Sequence, residues 1–240
     1  GLTGALLGAA TALKFYPALL LPVLWRPRDA AGRWRAAWVM PLAFVGVFAV
    51  TYVPYLSQGM GVIGYLPKYL NERFNMGIAG TITQLVEQAG GQPERVVNGL
   101  LLAALAGISV LCVLRPAASA EQAIRRCIWP IGAFTLLTQN LFPWYMLWLV
   151  PLIALFLRPG RFGLRFDAWT GWFLFTGLVA LAYTFFIAWK PVAWAQTVEF
   201  VPLYVFLILP AGWEVVRRLT GTGWPTREFR SRHLFIRDSG

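Results

Sequence analysis

"CIWPIGAFTLLTQNLFPWYMLWLVPLIALFLR", residues 127–158, decides how this chain folds. Arg125 and Arg126 precede it and Arg158 closes it. One continuous helix of this length would measure about 46 Å at 1.5 Å per residue and would carry its ends to opposite sides of a bilayer. Basic residues mark the inner side of a membrane, so both ends belong on the same side. The segment is therefore predicted to turn back, as 127–142 and 143–158. Each half is then about 23 Å long, short of the roughly 30 Å of a hydrocarbon core. The turn falls at "QNLFPWY", residues 139–145, where Pro143 removes a backbone donor and breaks the helix. Irregular backbone at such depth survives only against protein or beside water. The pattern predicts an outward-facing cavity with its floor near Gln139 to Tyr145.

The rest of the chain supplies the membrane context. Of 240 residues, 58% are hydrophobic and 13% charged, with mean hydropathy +0.60. Soluble domains are nearer half apolar and a quarter charged. Apolar stretches at 2–25, 36–56, 96–114, 127–142, 143–158, 168–189 and 198–216 read as membrane segments. The expected fold is all-α: a polytopic bundle of about seven membrane segments, including the short hairpin, over residues 1–216. A basic tail, 217–240, follows, with no fold assigned. Sixteen of the 21 Lys and Arg residues fall on one set of loops. That set is expected to face the cytoplasm, tail included, as in a multi-pass plasma-membrane protein. The formal charge of +11 is thus a topology signal and not a nucleic-acid footprint. The chain opens on Gly1, not Met, and is read as a piece of a longer protein.

The largest outer loop, 57–95, carries its own pattern. Ile78, Ile82, Leu85, Val86 and Ala89 recur at helical spacing, with Thr83, Gln84, Glu87 and Gln88 on other faces. This predicts an amphipathic helix along the outer membrane surface, ended by "AGGQP", 89–93. Two cysteines, Cys112 and Cys127, make no disulfide framework or metal cluster, and the one histidine, His233, lies in the tail. No Ser/His/Asp or Cys/His catalytic set is legible. No cofactor is identified, and metal dependence stays open.

Lys14 stands near the middle of the first apolar stretch, in "ATALKFYPALLLP", 10–22. A charge at that depth costs about 2.5–3.5 kcal/mol on insertion scales. Three readings account for it: a carboxylate partner on another helix, snorkelling to an interface helped by a kink at Pro17, or an anion, most naturally a lipid phosphate. Gly1, Gly4, Gly8 and Ala12 share one helical face, a small-residue stripe suited to close packing with another helix.

"ALKFYPALLLP" followed by the Arg/Trp-rich "WRPRDAAGRWRAAW" resembles the polyprenyl-phosphate-dependent membrane glycosyltransferases of the GT-C superfamily, nearest to their family 87-like mannosyltransferases. "YLNERFNMG", 69–77, is similar to an outer loop of those proteins, and "LFPWYMLWLVPLIAL", 141–155, resembles their Pro-Trp-Tyr turn and the span after it. The three pieces occur in the family's order over about residues 1–157. The resemblance implies transfer of a sugar, mannose in that branch, from a polyprenyl-phosphate donor to a lipid, glycan or protein acceptor on the outer face. In such enzymes a carboxylate of the first outer loop serves as base, and the leaving lipid phosphate needs a cation. That first loop would precede Gly1, so the base is expected upstream and the fragment alone is expected to be inactive.

On this reading Lys14 and Arg73 are the candidate donor-phosphate contacts. Tyr16, Asn71, Asn75, Gln139, Asn140, Trp144, Tyr145 and Trp148 are the candidate sugar or lipid contacts. Each has a plainer role open to it: Arg73 as a solvated loop charge beside Glu72, the amides as caps of helix ends and turns, the aromatics as an interfacial belt. Glu72, Glu87, Glu94 and Glu199 are outer carboxylates with no spacing that suggests acid/base work. Two other functions compete with the enzyme. A transporter or lipid flippase would favour inverted repeats, and one broken segment pair is seen without a mate. A non-catalytic membrane subunit of the same fold is the third reading.

Overall fold

The computed structural model describes residues 1–25, 37–69, 72–160, 163–190 and 192–220. Among these the chain is almost entirely helical. In order come α1 (Leu2–Leu13), α2 (Leu21–Leu24), α3 (Val39–Tyr52), α4 (Leu66–Tyr69), α5 (Ile78–Gln88), α6 (Pro93–Leu114), α7 (Ala120–Arg126), α8 (Ile128–Leu137), α9 (Val150–Phe156), α10 (Ala168–Leu178), α11 (Phe185–Ala188) and α12 (Ala193–Thr220). Short 3-10 turns occupy Tyr16–Leu20, Val53–Ile63, Pro143–Trp148 and Val179–Thr184. The strands are two residues each, Pro159–Gly160 paired antiparallel with Gly163–Leu164.

Four helical runs are long and apolar enough to cross a membrane: Val39–Val62, Pro93–Leu114, Ala168–Ala188 and Ala193–Leu219. The chain is a helical membrane protein with four such helices among its described residues, not the seven segments expected. The other three segments lack the length because proline and an extended residue interrupt them. In 2–25, α1 stops after twelve residues at Lys14, whose backbone is extended (φ −153°, ψ 135°). Pro17 and Pro22, which lack an N–H, then confine the chain to a 3-10 turn and one α-turn. In 127–158, α8 ends at Thr138, and Pro143 and Pro151 begin the pieces that follow.

The turn-back of 127–158 is present. Arg125, at the end of α7, lies 4.5 Å from the ring centroid of Phe156 at the end of α9, so the chain returns to the end it left. Arg126 donates to the Arg115 carbonyl at that same end. The opposite end gathers the 69–76 segment, the 138–142 turn and α11. There Phe74 stacks on Phe142 with centroids 4.5 Å apart and meets Phe185 edge-on at 5.1 Å.

The amphipathic helix of the outer loop is α5. Its buried positions are Ala79 and Thr83, packed towards α6 and α8, while Ile78 and Leu85 point outward. The packed face is thus turned from the one the apolar spacing marked, because small side chains admit the neighbouring helices more closely. The core proper lies among α8, α9, α10 and α12. Leu141, Leu149, Phe175 and Leu203 are completely buried there, and both cysteines are free and buried beside them.

The small-residue stripe of α1 packs against α3. A Cβ at Gly8 would lie 2.5 Å from the Phe44 carbonyl oxygen, and one at Gly4 would collide with the Met40 carbonyl. Helix backbones this close exclude any side chain larger than hydrogen. Gly46, on α3, has nothing within 4 Å of its Cβ position. Gly8→Leu is expected to lower stability by about 1–3 kcal/mol, the usual cost of overpacking. Gly46→Leu should leave the thermal midpoint in detergent unchanged, so equal midpoints for the two variants would refute this packing.

Candidate functional site

The site is built on two interruptions of helix. The first is at Lys14. Helix α1 leaves its last carbonyls without intrahelical partners, and the negative end of its dipole favours a cation there. The Lys14 Nζ lies 5.4 Å from the ring centroid of Tyr145 and 6.0 Å from that of Trp148, within cation–π range. Tyr16 stacks on Trp148 with centroids 3.6 Å apart and rings 11° from parallel, and Tyr145 stacks on the same indole at 4.7 Å. The extended backbone at Lys14 and the 3-10 turn at Tyr16 bring both side chains to one aromatic wall. Among the described residues no carboxylate forms an ion pair with Lys14. The Lys14 side chain is exposed.

The second interruption is the turn 138–142. Its backbone is satisfied by Tyr69, Phe74 and Asn75. The Phe74 N–H donates to the Gln139 carbonyl (3.1 Å), and the Leu141 N–H donates to the Asn75 carbonyl (3.2 Å). The Tyr69 hydroxyl donates to the Asn140 carbonyl (3.0 Å), and Asn140 Nδ2 donates to Glu72 Oε2 (2.9 Å). Burial, and then the neighbouring Tyr145 hydroxyl, push the Tyr69 phenol above its ordinary pKa, so it stays a protonated donor. Gln139 is buried, and neither end of its amide has a partner, which is costly unless something else serves it. It is the polar group of the turn best placed to be completed by a water or a ligand hydroxyl.

The residues expected from sequence therefore divide. Lys14, Tyr16, Tyr145 and Trp148 come together. Asn75, Gln139 and Asn140 are buried at the turn and its fastening; the cavities described at this end of the chain are lined by other residues, with Asn75 alone among the three at the edge of one. Trp144 turns aside, stacking on Phe142 at 4.3 Å and nearing Tyr183 at 6.4 Å. Asn71 lies outside the described residues. Arg73 is bound by Glu87 (2.7 Å) and Glu94. The Glu87 hydrogen bond, then Glu94, raise its pKa above the usual guanidinium value. Arg73 thus ties the loop to α5 and α6, and its partners are not the adjacent Glu72.

Sequence reasoning missed Glu199, which is completely buried and accepts from Asn75 Nδ2 at 2.8 Å. The available signal was a carboxylate within an apolar run; reading the span from 198 left it at the outer edge, whereas α12 begins at Ala193. It also missed Tyr69 and Glu72 as fasteners of the turn. No group of three or more metal-ligating side chains occurs among the described residues.

No family model, curated protein or solved structure matches this chain. The GT-C likeness rests on the three quoted stretches alone.

Two fastenings of the 72–76 segment differ in burial and should differ in effect. Arg73→Ala removes two partly exposed ion pairs, worth about 0–1 kcal/mol each. Asn75→Ala leaves buried polar atoms unserved, at about 1–3 kcal/mol. Hydrogen exchange at the Phe74 and Leu141 amides is expected to accelerate strongly in Asn75→Ala and little in Arg73→Ala.

Proposed function

We propose that this chain is part of a membrane glycosyltransferase that moves a sugar, mannose by the family resemblance, from a polyprenyl-phosphate donor to an acceptor at the outer face. The observation that carries the proposal is Lys14: a cation in an apolar stretch, without an ion pair among the described residues, held at an aromatic wall of Tyr16, Tyr145 and Trp148. An ammonium without a paired carboxylate attracts phosphate, and lysine binds it as a point charge. Aromatic faces beside it suit either the apolar face of a sugar ring or the first isoprene units of the lipid. In this reading Lys14 stabilises the charge that builds on the leaving lipid phosphate. Gln139 and Asn140 orient the sugar from the turn. Arg73 keeps the loop docked and leaves phosphate contact to Lys14.

The test follows radiolabelled mannose from polyprenyl-phosphate-mannose in membranes that hold the protein. Lys14→Ala, inserted to the same level as wild type, is expected to cut transfer by about 10²–10³-fold, the usual loss for one charge-stabilising group. Full activity in Lys14→Ala would make the lysine structural. No transfer by wild type from any polyprenyl-phosphate sugar would favour a transporter or a non-catalytic subunit.

A further inference from the structure

Glu199 stands alone in the core. Phe74, Ala182, Phe185, Ala195 and Gln196 wall the cavity beside it, about 10 Å³, room for one water. No lysine, arginine or second carboxylate faces it from these elements among the described residues. The 72–76 loop has its charges engaged elsewhere, Glu72 with Asn140 and Arg73 with Glu87 and Glu94. Lys190, before α12, is exposed. Of the titratable groups on the packed elements, Tyr183 is exposed, Tyr204 lies five residues along α12, and Glu214, Arg217 and Arg218 lie further along α12 and pair with one another; α10 presents Trp172 and Phe175, neither titratable. An ionised carboxylate here would keep its charge with one neutral donor for company, and burial penalises that form heavily.

The hydrogen bonds already made show how the site is completed. Asn75 Nδ2 donates to Glu199 Oε2 at 2.8 Å. Two atoms of this pair remain without a partner: Glu199 Oε1 and Asn75 Oδ1, both acceptors as they stand. A carboxylic acid and a carboxamide can join through two hydrogen bonds in a ring, amide N–H to acid carbonyl and acid O–H to amide carbonyl. One proton on Glu199 Oε1 supplies the missing donor and serves both orphan atoms at once. We propose that Glu199 is held as a neutral carboxylic acid, its bound proton closing a two-bond ring with the Asn75 carboxamide that locks the 72–76 segment to α12. The consequence reaches the turn, because Asn75 and Phe74 are the residues whose backbone bonds hold Leu141 and Gln139. This holds whatever reaction the site serves.

Infrared spectra of the full chain in lipid nanodiscs at neutral pH test it. Wild type should show a carboxylic-acid carbonyl band that disappears in Glu199→Gln. A wild type with only carboxylate bands at this residue overturns the proposal. Thermal unfolding gives a second reading. Glutamine can form the same two-bond ring with Asn75 and has no proton to lose, so Glu199→Gln should match wild type at mildly acid pH and melt no lower than it at neutral pH, while Glu199→Ala melts lower than Glu199→Gln. A proton bound more tightly by the folded state makes wild-type stability fall as pH rises, by up to about tenfold in the folded-to-unfolded ratio per pH unit. Glu199→Gln should not share that fall. If Glu199→Gln fails to fold or melts as low as Glu199→Ala, the ring is wrong. Stabilisation of wild type by sodium over choline, lost in Glu199→Gln, would assign the site to a metal cation and overturn it equally.

Discussion

Backbone N–H and C=O groups that leave a helix inside a membrane domain must find partners, and this constraint governs the whole arrangement. Residues 138–142 leave the helix in the middle of the chain's most apolar hairpin. The 69–76 segment answers them with two backbone hydrogen bonds, a tyrosine hydroxyl and a carboxylate. That segment is in turn fixed on both flanks, by Arg73 to Glu87 and Glu94 and by Asn75 to Glu199. A loop thereby becomes part of the interior, and the turn acquires a defined shape on which side chains can be placed.

The same constraint explains why the aromatic wall faces Lys14. Pro143 opens a 3-10 turn whose tighter winding, about three residues per turn, sets Tyr145 and Trp148 over one another. The break after α1 delivers Lys14 and Tyr16 to that pair. Two imperfections of helix, each forced by a proline or an extended residue, meet where a regular bundle would have presented only aliphatic surface. The chain after the first break is held to the rest by α2 against α6 and α7 and by the Tyr16–Leu20 turn against α8.

Much of this was legible in the residues. Arginines at both ends of 127–158 demanded a reversal, and Pro143 located it. Lys14 announced itself as a charge in an apolar run, and the glycine stripe told which face of α1 is packed. What was not legible depended on contacts distant in sequence. Nothing near Arg73 shows that its partners are fourteen and twenty-one residues away rather than adjacent. The seven expected segments came from hydropathy averaged over windows, which does not register that prolines and one extended lysine shorten three of them. Glu199 was hidden for a related reason: the helix that buries it starts six residues before it, in sequence too polar to be counted with the span.

The central claim is that Lys14 and its aromatic wall receive a lipid-linked phosphate. Native mass spectrometry of the full chain in nanodiscs tests it most directly, loading a short-chain polyprenyl phosphate against the neutral polyprenol of equal length. Retention of the phosphate over the alcohol in wild type, and loss of that preference in Lys14→Gln, is the predicted result. Equal retention of both lipids by wild type, or an unchanged preference in Lys14→Gln, would contradict it.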